Sequence, residues 1–225
     1  MTKINIAIDG PAGAGKSTVA KTAASKLQYV YIDTGAMYRA LAWAALNHNA
    51  DIQDEAFLSS LLRRTNIELQ PSEDGNRVFV NNEEVTGAIR SNEVTAAVSD
   101  VSAHAGVREQ MVNKQKELAA GKGAVLDGRD IGTTVLPEAE LKVYLIASVE
   151  ERAKRRHLEN IEKGLRSELQ MMQKDIQARD EKDAGREISP LIKAEDAVEI
   201  DTTNLSIPET ADRICELAEE RIRKS

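Results

Sequence analysis

The chain is poor in cysteine, in aromatic residues and in long apolar runs, and each shortage removes a class of protein. Cys215 is the sole cysteine among 225 residues, so no disulfide can form within the chain. It lies in an apolar-periodic stretch near the C-terminus and reads as a packed thiol. Aromatic residues make up 3%, too few for a platform on which single-stranded bases would stack. The longest apolar run, residues 40–46, falls far short of the roughly 20 residues that cross a bilayer. No block of one charge sign occurs and the net charge is -7, a poor balance for holding nucleic acid by its phosphates. His48, His104 and His157 are scattered at no metal-ligand spacing. Internal repeats and low-complexity linkers are missing. Residues 1–3 lead directly into a strand pattern, without the layout of an export signal, so the chain is expected in the cytoplasm with neither nucleic acid nor membrane as partner.

What is there suits one core carrying insertions. Residues 4–9 form a strand pattern, 10–15 a loop of small residues, and 16–27 a helix with Val19, Ala20, Ala23, Ala24 and Leu27 on one side. A second strand over 29–33 and a second helix over 35–45, with Trp43 on its apolar face, continue the alternation. This order predicts an α/β fold with a parallel sheet flanked by helices. Near residue 64 the rhythm changes. Residues 66–70 and 77–80 read as short strands around a turn at 72–76, and 84–85 as the start of a third, which makes a small antiparallel insertion. Residues 91–120 return to a helical pattern, 124–127 and 141–147 to buried strands, 198–201 to a last strand and 208–222 to a closing helix. Residues 150–186 hold ten of the thirty lysines and arginines and few bulky apolar residues. A solvated helical hairpin and a mobile cationic lid over polyphosphate both fit that composition.

The loop Gly10-Pro11-Ala12-Gly13-Ala14-Gly15-Lys16-Ser17 fits the G-x-x-x-x-G-K-[ST] pattern in full, with Thr18 next in line. Its glycines let the backbone turn its N–H groups into a concavity, and the helix N-terminus adds partial positive charge. Lys16 supplies a point charge to the outer phosphates of a bound nucleotide and the Ser17 hydroxyl a ligand for Mg²⁺. Asp127 ends an apolar strand and suits either a carboxylate acting on that metal through water or one that caps the next loop; Asp9 has the same two readings. A nucleotide-switch GTPase is a poor alternative, because Asn113-Lys114-Gln115-Lys116 lacks the final acid of N-K-x-D and no D-x-x-G occurs.

Three further segments follow in order: Asp33-Thr34-Gly35-Ala36-Met37-Tyr38-Arg39, Gly128-Arg129-Asp130-Ile131-Gly132-Thr133, and Arg179-Asp180 through Asp183, Arg186 and Pro190. With the phosphate loop, they make the chain resemble the bacterial cytidylate kinase family over nearly its whole length. The resemblance implies a three-layer P-loop kinase core over residues 1–63, 99–149 and 186–225, a monophosphate-binding insertion over 64–98 and a helical lid over 150–185. It implies transfer of a phosphoryl group from ATP to CMP or dCMP with Mg²⁺, by a monomer. Thr34, Tyr38 and Arg39 are then expected near the acceptor phosphate, Ser99, Arg108 and Asp130 at the cytosine, Arg129 and Arg186 on the monophosphate, and Arg179 and Asp183 near the ribose. Thr34 often stands as Ser in the family, which keeps the hydroxyl. Lys182 stands where some members have Arg, which removes a two-point grip.

Elementary chemistry runs parallel to the resemblance. A carboxylate at Asp130 can accept from the amino group of cytosine, and a guanidinium at Arg108 can donate to its ring nitrogen and carbonyl. Uracil would bring an acceptor against that carboxylate. A metal-ligand or structural role for Asp130 remains open at this point. An acceptor that is already ionised needs no general base, so catalysis rests on alignment and charge, with Lys16, Arg129 and Arg186 in the central roles. Arg152, Arg155 and Arg156 are the lid's candidates for the transferring phosphoryl. The rival readings are a P-loop kinase acting on UMP, AMP or another small acceptor, and a nucleotide-binding regulatory module without turnover.

Overall fold

A computed structural model describes residues 2–72, 75–162, 164 and 166–224. Glu73 and Asp74 of the expected turn, and Lys163 and Leu165 of the expected lid, lie outside the described residues. Five parallel strands form the central sheet: β1 (Ile6–Asp9), β2 (Val30–Asp33), β6 (Ala124–Gly128), β7 (Leu141–Ile146) and β8 (Val198–Asp201), in the order β2-β6-β1-β7-β8. The strands are short; β1 and β6, in the middle of the sheet, are buried along their whole length, whereas the edge strands β2 and β8 are partly exposed. Alternation along β1 shows the layering. Ile6 and Ile8 pack with Val19, Ala20 and Ala23 of α1 (Lys16–Leu27) and with Ala211, Ile214 and Ala218 of α8 (Ile207–Lys224). Ala7, between them, faces the other core with Leu41 of α2 (Thr34–Asn47), Leu58 and Leu62 of α3 (Glu55–Arg64), Val98 of α4 (Asn92–Val101) and Met111 of α5 (Ala105–Ala119). The result is the expected helix–sheet–helix sandwich.

Helix α3 is absent from the sequence reading. Its signals were present: Asp54 caps it by accepting the Phe57 N–H at 2.9 Å, and Leu58, Leu61 and Leu62 recur at helical spacing. The expected continuous helical stretch over 91–120 divides at residues 102–104 into α4 and α5.

The insertion is a three-stranded antiparallel sheet of β3 (Ile67–Ser72), β4 (Gly75–Val80) and β5 (Glu83–Glu84). It protects an edge of the main sheet. The buried Asn76 side chain accepts the Asp33 N–H through Oδ1 and donates to the Tyr31 carbonyl through Nδ2, both at 3.1 Å. One amide thus occupies a donor and an acceptor that edge strand β2 would otherwise expose. The boundary expected at residue 98 falls inside α4. Within the expected lid, α6 (Val149–Glu162) and α7 (Leu169–Ala184) pack on each other as the arms of a helical hairpin.

Candidate active site

The site gathers at the carboxyl ends of β1, β2 and β6, where an open α/β sheet places its ligands. Beyond Asp9 the chain turns through Gly10 at φ 147°, and a Cβ there would meet the Leu145 carbonyl oxygen at 2.2 Å. Gly15, at φ 82°, precedes α1. These two glycines let the loop pass close to β7 and then start a helix at once. Lys16 is 5% exposed and donates to the Pro11 carbonyl at 2.7 Å. Burial lowers its pKa well below the ordinary value, and the guanidiniums of Arg129 and Arg179 press in the same direction. An anionic polyphosphate brought to this loop would reverse that strain.

The Ser17 hydroxyl donates to Asp127 Oδ2 at 2.7 Å, and the Tyr31 hydroxyl donates to Oδ1 at 2.9 Å. Burial, with Asp33 nearby, raises the Asp127 carboxyl to about 6. Sequence reasoning missed Tyr31, whose link to Asp127 exists only because β2 and β6 are neighbours. Asp9 resolves differently. Its two oxygens accept the N–H groups of Ile131 (2.8 Å) and Gly132 (2.7 Å), so it caps the turn after β6, and burial still pushes it up to about 6. Thr18, also expected to contact nucleotide, is exposed on the first turn of α1.

Facing the loop is a second cluster of charge. Asp183 on α7, 1% exposed, accepts from Arg129 Nε at 2.9 Å and from Arg186 Nη2 at 2.6 Å. Burial alone would raise its pKa, but Arg129, Arg186 and Arg179 hold it below the ordinary value. Arg179 is brought down to about 10 by burial and by Arg129, Arg39 and Arg186 around it. Arg39 donates to the Thr95 hydroxyl at 2.9 Å and is lowered by burial, with Arg156, Arg90 and Arg129 adding to the effect. Thr34 donates its hydroxyl to the Asp127 carbonyl at 2.6 Å.

Arg108 and Asp130 form a buried ion pair, at 3% and 5% exposure. Arg108 Nη1 also donates to the Ser102 carbonyl at 3.0 Å, and its guanidinium lies 5.5 Å from the centre of the Tyr38 ring. Burial disfavours this cation, yet Tyr38 and Asp130 offset that and leave its pKa above the ordinary value. Tyr38 therefore sits beside the Arg108–Asp130 pair and near Arg186, one helical turn from Thr34 on α2. Ser99 is buried one turn before Ser102 and accepts the Ser102 hydroxyl on its carbonyl at 3.2 Å. Ser102 also accepts from Arg186 Nη2 at 3.0 Å, so this unpredicted residue at the α4–α5 break orients two arginines. A cleft of about 280 Å³ opens beside Arg108, lined in part by Val112, Thr134 and Ser189. A groove of about 630 Å³ between β8 and α8 contains none of these residues.

Among the described residues seven buried side-chain atoms have no hydrogen-bond partner, and four of them belong to this cluster: Tyr38 Oη, Arg108 Nε, Arg179 Nε and Arg186 Nε. Buried polar atoms are ordinarily satisfied, so these four leave hydrogen-bonding capacity open to a polar ligand. Of the lid arginines, Arg152 is bonded to Ala147, Ala12 and Asp180, and Arg155 to Glu151 and Thr202. Arg156 pairs with Glu159 at 3.1 Å and lies close enough to Arg39 to depress its pKa.

A complete phosphate loop facing a cluster of buried arginines at the carboxyl ends of a parallel sheet meets the needs of a P-loop kinase of small molecules, and that is the class the fold and the site define. A family model described as Cytidylate kinase matches residues 6–220. The chain belongs to the cytidylate kinase family. It is 61% identical over 219 residues to the cytidylate kinase of Geobacillus sp. strain WCH70, covering 97% of this chain and 98% of the relative. It is 57% identical over 221 residues to that of Bacillus subtilis strain 168, covering 98% and 99%. A gluconokinase structure from Sinorhizobium meliloti superposes with a TM-score of 0.50 at 14% identity, over 99% of this chain and 98% of that one, a likeness of fold alone.

Proposed function

We propose that this chain transfers the γ-phosphoryl group of ATP to CMP and dCMP. The observation that carries the reading is the set of buried donors at Tyr38, Arg108, Arg179 and Arg186 that have no partner among the described residues, set across from a complete phosphate loop. Family membership supplies the nucleotide class, and the carboxylate–guanidinium pair suits cytosine's amino donor and adjoining acceptors. In this reading ATP lies along residues 10–18 with Lys16 at its outer phosphates. Ser99, Arg108 and Asp130 receive the base, Thr34, Tyr38, Arg39, Arg129 and Arg186 the monophosphate end, and Arg179 and Asp183 the ribose side. The insertion over 64–98 and the hairpin over 150–185 close over the acceptor and the reacting groups.

The residues also suit Mg²⁺. Ser17 and Asp127 offer oxygen ligands within 2.7 Å of each other, and no cluster of three or more His, Cys, Asp or Glu that would hold a metal by protein alone occurs among the described residues. Such a pair plus nucleotide phosphates is how Mg²⁺ is commonly held. Bound there, the ion would screen charge between donor phosphates. The rest falls to the chain's own groups. Lys16 holds the donor, while Arg39, Arg129 and Arg186 hold the acceptor and offset repulsion between two anions. The hairpin's closing helices exclude water from the transfer. No helix among the described residues is long and apolar enough to cross a membrane.

The test is an ADP-release assay across CMP, dCMP, UMP and AMP. Turnover with CMP and dCMP well above the other two is expected. Preference for UMP or AMP would overturn the acceptor, and ATP binding without acceptor-dependent ADP release would overturn the enzyme reading.

A further inference from the structure

Helix α7 faces both anion regions within little more than one turn. Asp180 reaches the phosphate loop: Oδ1 accepts the Ala12 N–H at 3.2 Å and Oδ2 accepts from Arg152 Nη1 at 2.6 Å. Arg152, 4% exposed, donates from Nη1 to the Ala12 carbonyl at 2.8 Å and from Nε to the Ala147 carbonyl at 3.0 Å. The hairpin also packs on the loop, since a Cβ on Gly13 would lie 3.1 Å from that of Arg152. One residue before Asp180, Arg179 enters the acceptor cluster, and three residues after it Asp183 takes Arg129 and Arg186. Lys182 in the same turn pairs with Asp100 of α4. Intrahelical hydrogen bonds make a turn of helix move as a unit, so displacing Asp180 displaces Arg179 and Asp183.

We infer that Asp180 and Arg152 are positioning residues that tie the shape of the phosphate loop to the acceptor cluster through α7, so that each nucleotide binds more tightly when the other is in place. The inference rests on the acceptor assignment proposed above. Its physical basis is ordering. The nucleotide that binds first bears the cost of fixing α7, and the second binds without that cost. Such a link is reciprocal and is measured as a coupling free energy. Neither side chain needs to touch a reacting atom.

Isothermal titration of CMP into the wild type, alone and with saturating magnesium and AMP-PNP, reads the coupling. A tightening of roughly 5- to 50-fold is expected. In Asp180→Ala that factor should fall below about 2, with CMP affinity alone changed by less than about threefold, because the acceptor's own contacts remain. Arg152→Met should do the same, and the double variant should lose no more than either single one. Amide hydrogen exchange supplies a readout independent of the donor. CMP alone should slow exchange over residues 10–16 in the wild type and leave it unchanged in Asp180→Ala. Where Asp180→Ala fails to fold, Asp180→Asn keeps an acceptor for the Ala12 N–H and loses the charge facing Arg152, so an intermediate factor is expected. A wild-type coupling factor in any folded variant overturns the inference, as does a wild type that shows no coupling. Failure of CMP to bind the wild type at all would instead remove the acceptor assignment, and the coupling with it.

Discussion

Replacing Asp130 separates base choice from stability. The carboxylate is 5% exposed and paired with Arg108, itself 3% exposed, so Asp130→Ala leaves a guanidinium without its counter-charge. Breaking one side of a buried pair costs about 3–5 kcal/mol. For a chain of this length roughly 2–4 °C is lost per kcal/mol, so Tm should fall by about 6–20 °C. Asp130→Asn keeps the shape and one acceptor oxygen, and it should lose less. Its effect on substrate choice is worked from the other contact. A charge-assisted hydrogen bond from the cytosine amino group to Asp130 is worth about 1.5–3 kcal/mol, which at about 1.36 kcal/mol per tenfold is roughly 10- to 150-fold in kcat/KM. An asparagine can turn its amide towards uracil's carbonyl and recover part of that bond, so UMP should lose less than CMP. The assay is ADP release with CMP and UMP at a temperature where both proteins are folded, and the quantity read is the ratio of the two kcat/KM values. Stability cancels in that ratio. A ratio unchanged from the wild type, even with both rates reduced, would refute the base-reading role and leave Asp130 as a structural partner of Arg108.

Lys16→Met should reduce kcat/KM by orders of magnitude while Tm in the absence of nucleotide holds or rises, because burial already disfavours the charged form of Lys16; calorimetry with steady-state kinetics checks both, and near-normal turnover in the folded variant would remove its role. Carboxyl ¹³C titration should place Asp9 near 6 and Asp183 below the ordinary 3.8. The linkage signs are opposite: the Asp9 contribution to stability is present below 3.8 and lost as pH rises through about 6, whereas the Asp183 contribution is present above 3.8 and lost as pH falls through its lowered value. Tyr31→Phe removes one of two hydroxyl donors to Asp127, which should destabilise the protein by about 1–3 kcal/mol and weaken donor binding more than CMP binding; equal weakening of both in titrations would count against a role confined to the donor side.

The alternation of strands and helices, the antiparallel insertion and the phosphate loop were readable because each depends on neighbours in sequence. A loop that binds phosphate with its own backbone needs only glycines, a following helix and a lysine at fixed spacing, all contiguous from Gly10 to Ser17. The acceptor residues could be named from resemblance, yet their arrangement could not be read. Their side chains come from α2, α4, α5, the turn after β6, α7 and the segment just past it, and nothing in local periodicity states which of these meet. Tertiary structure decided that Asp9 caps residues 131–132, that Tyr31 reaches Asp127 across two strands, and that Ser102 joins Arg108 to Arg186. It also set Arg152 and Asp180 against the loop rather than leaving both free in the hairpin. Backbone chemistry is written along the chain, whereas the partner of a buried charge is chosen by packing, which brings together groups more than a hundred residues apart.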